Sequence, residues 1–227
     1  MSGQERPHDG EMTEQSEEPR WAALSLASTI RHDGEGGVAD DLDDLDGFRA
    51  WLDAARPLLP GEWEATEALR SEVRALRGAV RALFARGVRP GPVSPADADR
   101  LQPADEALAL LDATAARVPV RPVLDWPEGA APAVRLEPAP GTDTLPAALA
   151  RAALDFLAAP DFAHLRACTA PRCVRYFVRR HGRQEFCKPS CGNRARAARH
   201  YRRHRGEGDA AVGGGWRGVV PLSRPRG

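Results

Sequence analysis

No stretch of this 227-residue chain approaches the roughly 20 consecutive apolar residues that a membrane span requires. The opening MSGQERPHDGEMTEQSEEPR is polar and acidic and has no apolar core of the signal-peptide kind, so a cytoplasmic protein without a membrane partner is expected. Cysteine is scarce too. Four residues are too few for a disulfide scaffold, and in a reducing compartment they point to metal or chemistry instead. Internal repeats are lacking. The length suits one medium domain plus a small module, or two small domains.

What is missing locally is more telling than what is missing overall. The formal net charge is zero, with 32 basic and 32 acidic residues, yet acids almost vanish from one window. Residues 1–163 hold 16 Arg against 29 Asp plus Glu, whereas residues 164–205 hold 13 Arg plus Lys against one acid, Glu185. All four cysteines and four of the six histidines fall in that same window. An acidic body therefore carries a basic, cysteine-bearing module, an asymmetry that suggests contact with nucleic acid or another polyanion.

The apolar pattern orders the rest. Residues 1–19 read as a disordered start. Structure is expected from Trp21, where AALSLASTI is apolar but too short to type. Leu42, Leu45, Phe48, Trp51 and Leu52 recur at helical spacing and place a helix over about 45–55, ended by Pro57. In EWEATEALRSEVRALRGAVRALFARG, one stripe of Leu69, Val73, Leu76, Val80, Leu83 and Phe84 predicts a longer helix stopped at Gly87. Ser94, Pro95 and Asp97 read as a helix start, with Pro103 dividing the segment to Arg117 into two helices. Val120–Leu124 and Val134–Leu136 read as a hairpin. TDTLPAALARAALDFLAAP is another helix, capped near Thr144 and stopped by Pro160. Residues 206–227 read as a Gly-rich disordered tail.

Cys168-x4-Cys173, 13 residues, then Cys187-x3-Cys191 has the pairing that a tetrahedral four-thiolate Zn2+ site needs. Val174–Val178 and Gln184–Phe186 are the expected hairpin arms, with Gly182 in the turn and Cys191 in the first turn of a helix over 189–205. That order is treble-clef-like. His200 and His204 are spaced for a metal in the abstract, but His200 would lie about 13 Å along the helix from Cys191, too far to share an ion.

Cys187-x3-Cys191-Gly192-Asn193-Arg194, with the upstream C-x4-C, resembles the CGNR zinc finger. Helix order and the segment DLDDLDGFRAWLDAA make the preceding residues similar to the ABATE domain, a family of stress-induced transcriptional regulators. The resemblance implies an early strand that often reads like LCLDFANT; AALSLAST stands in its place here. It also puts Phe186 where the family has tryptophan. The expected organisation is α+β. A mainly helical N-terminal domain with a small β-hairpin (20–160) precedes a small treble-clef-like CGNR finger (161–205).

On the 189–205 helix, Cys191, Ala195, Ala198 and Tyr201 follow helical spacing toward the metal side. Arg196, Arg199 and Arg203 fall opposite, flanked by Arg194 and Arg202. Arg175, Arg179, Arg180 and Arg183 add a second basic element. Arginine pairs with phosphate and forks onto guanine, and ordinary solvated helices mix signs, so nucleic-acid contact is expected here. The candidate contacts are Arg175, Arg179, Arg180, Arg194, Arg196, Arg199, Arg202 and Arg203. Asn193 and Arg194 have an equal claim to a structural role beside the thiolates.

The reading is a zinc-dependent DNA-binding regulator and not an enzyme. The acidic domain is left to sense a signal, such as a small-molecule ligand, or to gather partners. A single finger offers a small interface, which makes a homodimer a candidate partner arrangement. The alternative is an RNA-binding or ribosome-associated zinc module. A treble-clef nuclease using His181 and Asn193 ranks lower, since the cysteines are all taken by structure and the window offers Glu185 as its one carboxylate.

Overall fold

The structure is a computed structural model that describes residues 21–35, 37–59, 61–97 and 101–212, with side chains of the last helix described as far as Arg203. The expected disordered start lies outside the described residues, as does the expected tail from residue 213 onward.

Where the resemblance implies a strand, AALSLA forms the short helix α1 (Ala22–Ala27). Its alanines and leucines Ala22, Ala23, Leu24, Leu26 and Ala27 are all buried, which a helix of small residues permits and an alternating strand does not. Pairing begins only at Ile30, where β1 (Ile30–His32) meets β2 (Val38–Asp40) with Ile30 opposite Asp40.

Helix α2 (Leu45–Ala55) starts where expected, and Asp44 caps it by accepting from Gly47 N at 2.7 Å. Gly47 is demanded by sterics. A Cβ there would sit 2.3 Å from the Asp41 carbonyl oxygen. Helix α3 (Glu67–Gly87) is capped by Thr66, which accepts from Leu69 N, and it buries Val73, Leu76, Val80, Leu83 and Phe84 as its stripe predicts. That stripe also takes in Arg77 and Arg81, 7% and 4% exposed.

A 3-10 turn over Pro95–Asp97 stands where the first of the two helices expected around Pro103 begins, residues 98–100 lying outside the described residues, and α4 (Ala104–Ala115) begins directly after that proline. Strands β3 (Val120–Asp125) and β4 (Ala133–Pro138) form the expected hairpin, Leu124 opposite Val134. Helix α5 (Leu145–Ala158) ends ahead of a 3-10 turn at Pro160–His164.

Helices α3, α4 and α5 pack on one another, and α1 lies against α3 and α5. Phe156 sits at the centre of an aromatic cluster, with ring centroids 5.2 Å from Trp21, 5.3 Å from Phe84 and 5.8 Å from Phe162. Gly87 makes room for this cluster, since a Cβ there would meet the Phe162 ring at 2.2 Å.

The hairpin of the cysteine module differs from the one expected. Its arms are β5 (Leu165–Ala167) and β6 (Tyr176–Val178), with Leu165 opposite Val178, and residues 184–186 form no strand. The reason is burial. Leu165, Ala167 and Tyr176 belong to the same core as α1, α3 and α5, and Phe84 and Tyr176 meet edge-to-face at 5.5 Å. Phe186 packs instead on the cysteines, as does Phe177. Helix α6 (Pro189–Val212) follows and continues past the expected end at residue 205.

Candidate metal centre and nucleic-acid interface

Two chain segments deliver the four thiols. Cys168 and Cys173 stand in the loop that joins β5 to β6, which Cys168 N closes by donating to Arg175 O at 2.9 Å and Cys173 N by donating to Ala170 O at 3.0 Å. Arg172 takes φ +63° to complete that turn. Cys187 precedes α6, and Cys191 lies in its first turn, its N–H donating to Lys188 O.

The four Sγ atoms all fall within 4.8 Å of one another, and Cys168, Cys173 and Cys191 are buried. Sulfur–sulfur distances of 3.7 Å (Cys173 to Cys187) and 3.5 Å (Cys187 to Cys191) are far beyond a disulfide bond. They suit a tetrahedral ion instead, because a Zn–S length of about 2.3 Å sets S···S near 3.8 Å. All-thiolate donors at that spacing fit Zn2+.

Crowding divides the protons among these thiols. Contact with Cys168 and its neighbours holds Cys173 down at about 7 and Cys191 lower still, while the same contacts push Cys168 and Cys187 upward. Arg194 adds to the lowering of Cys191: its Nη2 donates to Cys191 Sγ at 3.1 Å. The Arg194 Nε is buried with no hydrogen-bond partner. Asn193 Oδ1 accepts from Arg196. Gly192 is buried, and a Cβ there would meet Phe186 and Arg196 only at ordinary contact distance, 3.6 Å.

Residues 21–160 match the family model ABATE, described as "Putative stress-induced transcription regulator", and residues 164–204 match the CGNR zinc finger. This chain belongs to the ABATE family. Its CGNR finger carries four cysteines positioned to bind a metal ion, consistent with zinc. No curated protein matches the chain. Among the described residues, no helix is long and apolar enough to cross a membrane.

The finger's arginines divide by surroundings. Arg196, Arg199, Arg202 and Arg203 are exposed on α6, while Cys191 and Ala195 on the same helix are buried. Arg180 is exposed beyond β6, and Arg175 and Arg179 are half-buried. Tyr201, expected to face the metal side, is 73% exposed and stands with the arginines instead. His200 and His181 are likewise exposed, away from the cysteine cluster.

A second polar centre, not foreseen from the sequence, ties the ABATE domain to its finger. Arg81 grips Asp97 with both ends of its guanidinium: Nε to Oδ1 at 2.7 Å and Nη2 to Oδ2 at 2.9 Å. Its Nη1 donates to Ala27 O, and its Nη2 also reaches Val174 O in the cysteine loop at 3.3 Å. Tyr176 Oη donates to Asp97 Oδ2 at 2.7 Å, and Ser94 Oγ, expected as a helix cap, donates to Val174 O at 2.8 Å. Burial, then the Asp97 bond, pushes the Tyr176 phenol well above its usual value. The sequence signal was Arg81 itself, a charge one turn after Arg77 and inside an otherwise apolar stripe.

Arg77 makes a parallel anchor nearby, gripping Asp40 of β2 and donating to Thr29 Oγ1 at 3.0 Å. Burial works against the Asp40 charge, but the bonds from Arg77 and from Leu42 N outweigh it and hold the carboxyl below its ordinary range. Beside α2, an open cleft of about 260 Å³ is lined by Arg49, Leu52, Arg56, Trp63 and their neighbours. Its two arginines are paired with Asp46 and Asp53.

Proposed function

We propose that Cys168, Cys173, Cys187 and Cys191 hold one Zn2+, and that the finger so formed binds DNA through the outer face of α6. Zinc supplies a cross-link between the β5–β6 loop and the start of α6, fixing that helix in place. The observation that carries the reading is the division of α6. Its first turns bury Cys191 and Ala195, while Arg196, Arg199, Arg202 and Arg203 stand in solvent without an acid within the window to neutralise them, apart from Glu185.

A slim helix with arginines on its open side suits a major groove. Arg196 and Arg199, near the middle of the helix, are assigned to base edges. Arg175, Arg179, Arg180, Arg202 and Arg203 are assigned to phosphates. Arg194 is assigned to a structural role beside Cys191, which its donation to that Sγ at 3.1 Å supports. The ABATE domain supplies the regulatory input, through a signal or partner that it binds. What supports that is the family's description together with the buried bonds from Arg81 and Ser94 to the finger's Val174.

The test is alanine substitution at each arginine in zinc-loaded protein, with DNA and RNA affinity measured against salt. Loss of a phosphate contact lowers the duplex salt slope by about 0.9 and weakens binding to all sequences alike. A base-reading arginine costs about 1–3 kcal/mol at one position and relaxes preference there. Retained affinity in the triple variant Arg196→Ala/Arg199→Ala/Arg203→Ala makes the charge run a solvated face. Preference for RNA over duplex DNA makes the finger an RNA module.

A further inference from the structure

The β3–β4 hairpin is amphipathic the wrong way round for a monomer. Register puts Leu124 opposite Val134 and Pro122 opposite Leu136, so these side chains share one face, and Trp126 follows at the next alternate position. That face is open to water: Leu124 is 62% exposed, Trp126 66%, Val134 66% and Leu136 55%. The opposite face carries the charges. Arg121 pairs with Glu137 at 3.5 Å, and Arg135 pairs with Asp125 at 3.2 Å and with Glu137 at 2.9 Å, the two acids being half-buried. Among the described residues, no helix makes an extended contact with either strand.

A two-stranded hairpin is marginal alone in water and needs a hydrophobic face packed on something. We infer that its partner is a second copy of this chain, and that two ABATE-family protomers associate by packing these apolar faces together about a two-fold axis. An isologous contact requires a patch complementary to itself, which an apolar face without charges supplies. Four large side chains, each more than half exposed, offer up to about 500 Å² per copy, so two copies can remove up to about 1,000 Å² from water, the lower limit for a specific interface. Packing is face to face, because the exposed apolar side chains stand on the face of the hairpin and not along its edges.

The experiment is sedimentation equilibrium on the full zinc-loaded chain without nucleic acid, so its result is independent of the DNA reading. The wild type is expected to be dimeric, with Kd at or below about 10 µM. The double variant Leu124→Glu/Leu136→Glu is expected to be monomeric, association falling at least about 100-fold. Both side chains are exposed in the protomer, so its helical circular dichroism and zinc content should be unchanged. A wild type that stays monomeric at about 100 µM overturns the proposal. So does a double variant that associates as tightly as the wild type. A monomeric wild type whose double variant melts earlier shows that the face is covered from within the same chain, which overturns it as well.

Discussion

At the scale of single residues, Arg194 shows how a charge in a basic run can serve the fold. It is surrounded by arginines that face solvent, yet its Nη2 lies 3.1 Å from Cys191 Sγ and its Nε is buried. A guanidinium donating to a thiolate stabilises the ionised sulfur, which is the form a metal needs. Partners of this kind around metal ligands alter metal affinity by about 10–100-fold when removed. Arg194→Ala should therefore weaken zinc binding by about that factor, read by competition with a chromophoric chelator, with Arg194→Lys restoring part of it. Arg199→Ala, on the exposed side of the same helix, should leave zinc affinity alone. If the two variants hold zinc equally, Arg194 has no role at the metal.

At the scale of elements, legibility followed length and period. Helices α2 and α3 could be read because 11 and 21 residues repeat an apolar stripe. The finger's hairpin could not, since each arm is three residues long and its pairing depends on where the core lies. Tyr176 was visible as an aromatic of the finger, but nothing local to it reveals that Asp97, 79 residues earlier, is its acceptor. The cysteine centre was legible throughout, because ligand spacing is a local property and the fold had only to close it.

That Tyr176–Asp97 bond makes β6 sensitive to alkali. The folded phenol is raised above the ordinary tyrosine value near 10, so the neutral form is the one the fold prefers. The stability it contributes is fully present below about pH 10 and is lost as pH climbs beyond that. Tyr176→Phe removes the hydroxyl while keeping the ring, and should cost about 2 kcal/mol by urea unfolding at neutral pH, as expected for a buried bond to a charged acceptor. The variant's stability should also decline less between pH 9 and pH 11 (roughly the ordinary tyrosine range) than the wild type's. Parallel alkaline curves for the two proteins would show that Tyr176 does not govern this limb.

At the scale of the molecule, the family boundaries at 160 and 164 do not divide the structure into two independently packed bodies. Leu165, Ala167 and Tyr176 of the finger lie in the core of the helical domain, and Arg81, Ser94 and Asp97 bond the chain just after Cys173. The remainder of the finger has a different footing: a small cluster of Cys168, Ala170, Cys173 and Cys191 with Phe177, Phe186 and Cys187 packed on it. Thirteen positive charges against one acid in residues 164–205 repel within this module, and structural zinc can contribute on the order of 10 kcal/mol to such small folds. Removing the ion should therefore split the finger along its length. After chelation, hydrogen exchange should rise sharply in residues 186–203, whose order depends on the thiols. Protection should persist at Leu165–Ala167 and Tyr176–Val178, which pack against α3 and α1. Arg81 then becomes the point of control. Asp97→Asn weakens its clamp, and in that variant chelation should release the β5–β6 hairpin as well. Uniform loss of protection across residues 164–203 in the wild type would mean that the metal, and not the ABATE core, holds the hairpin.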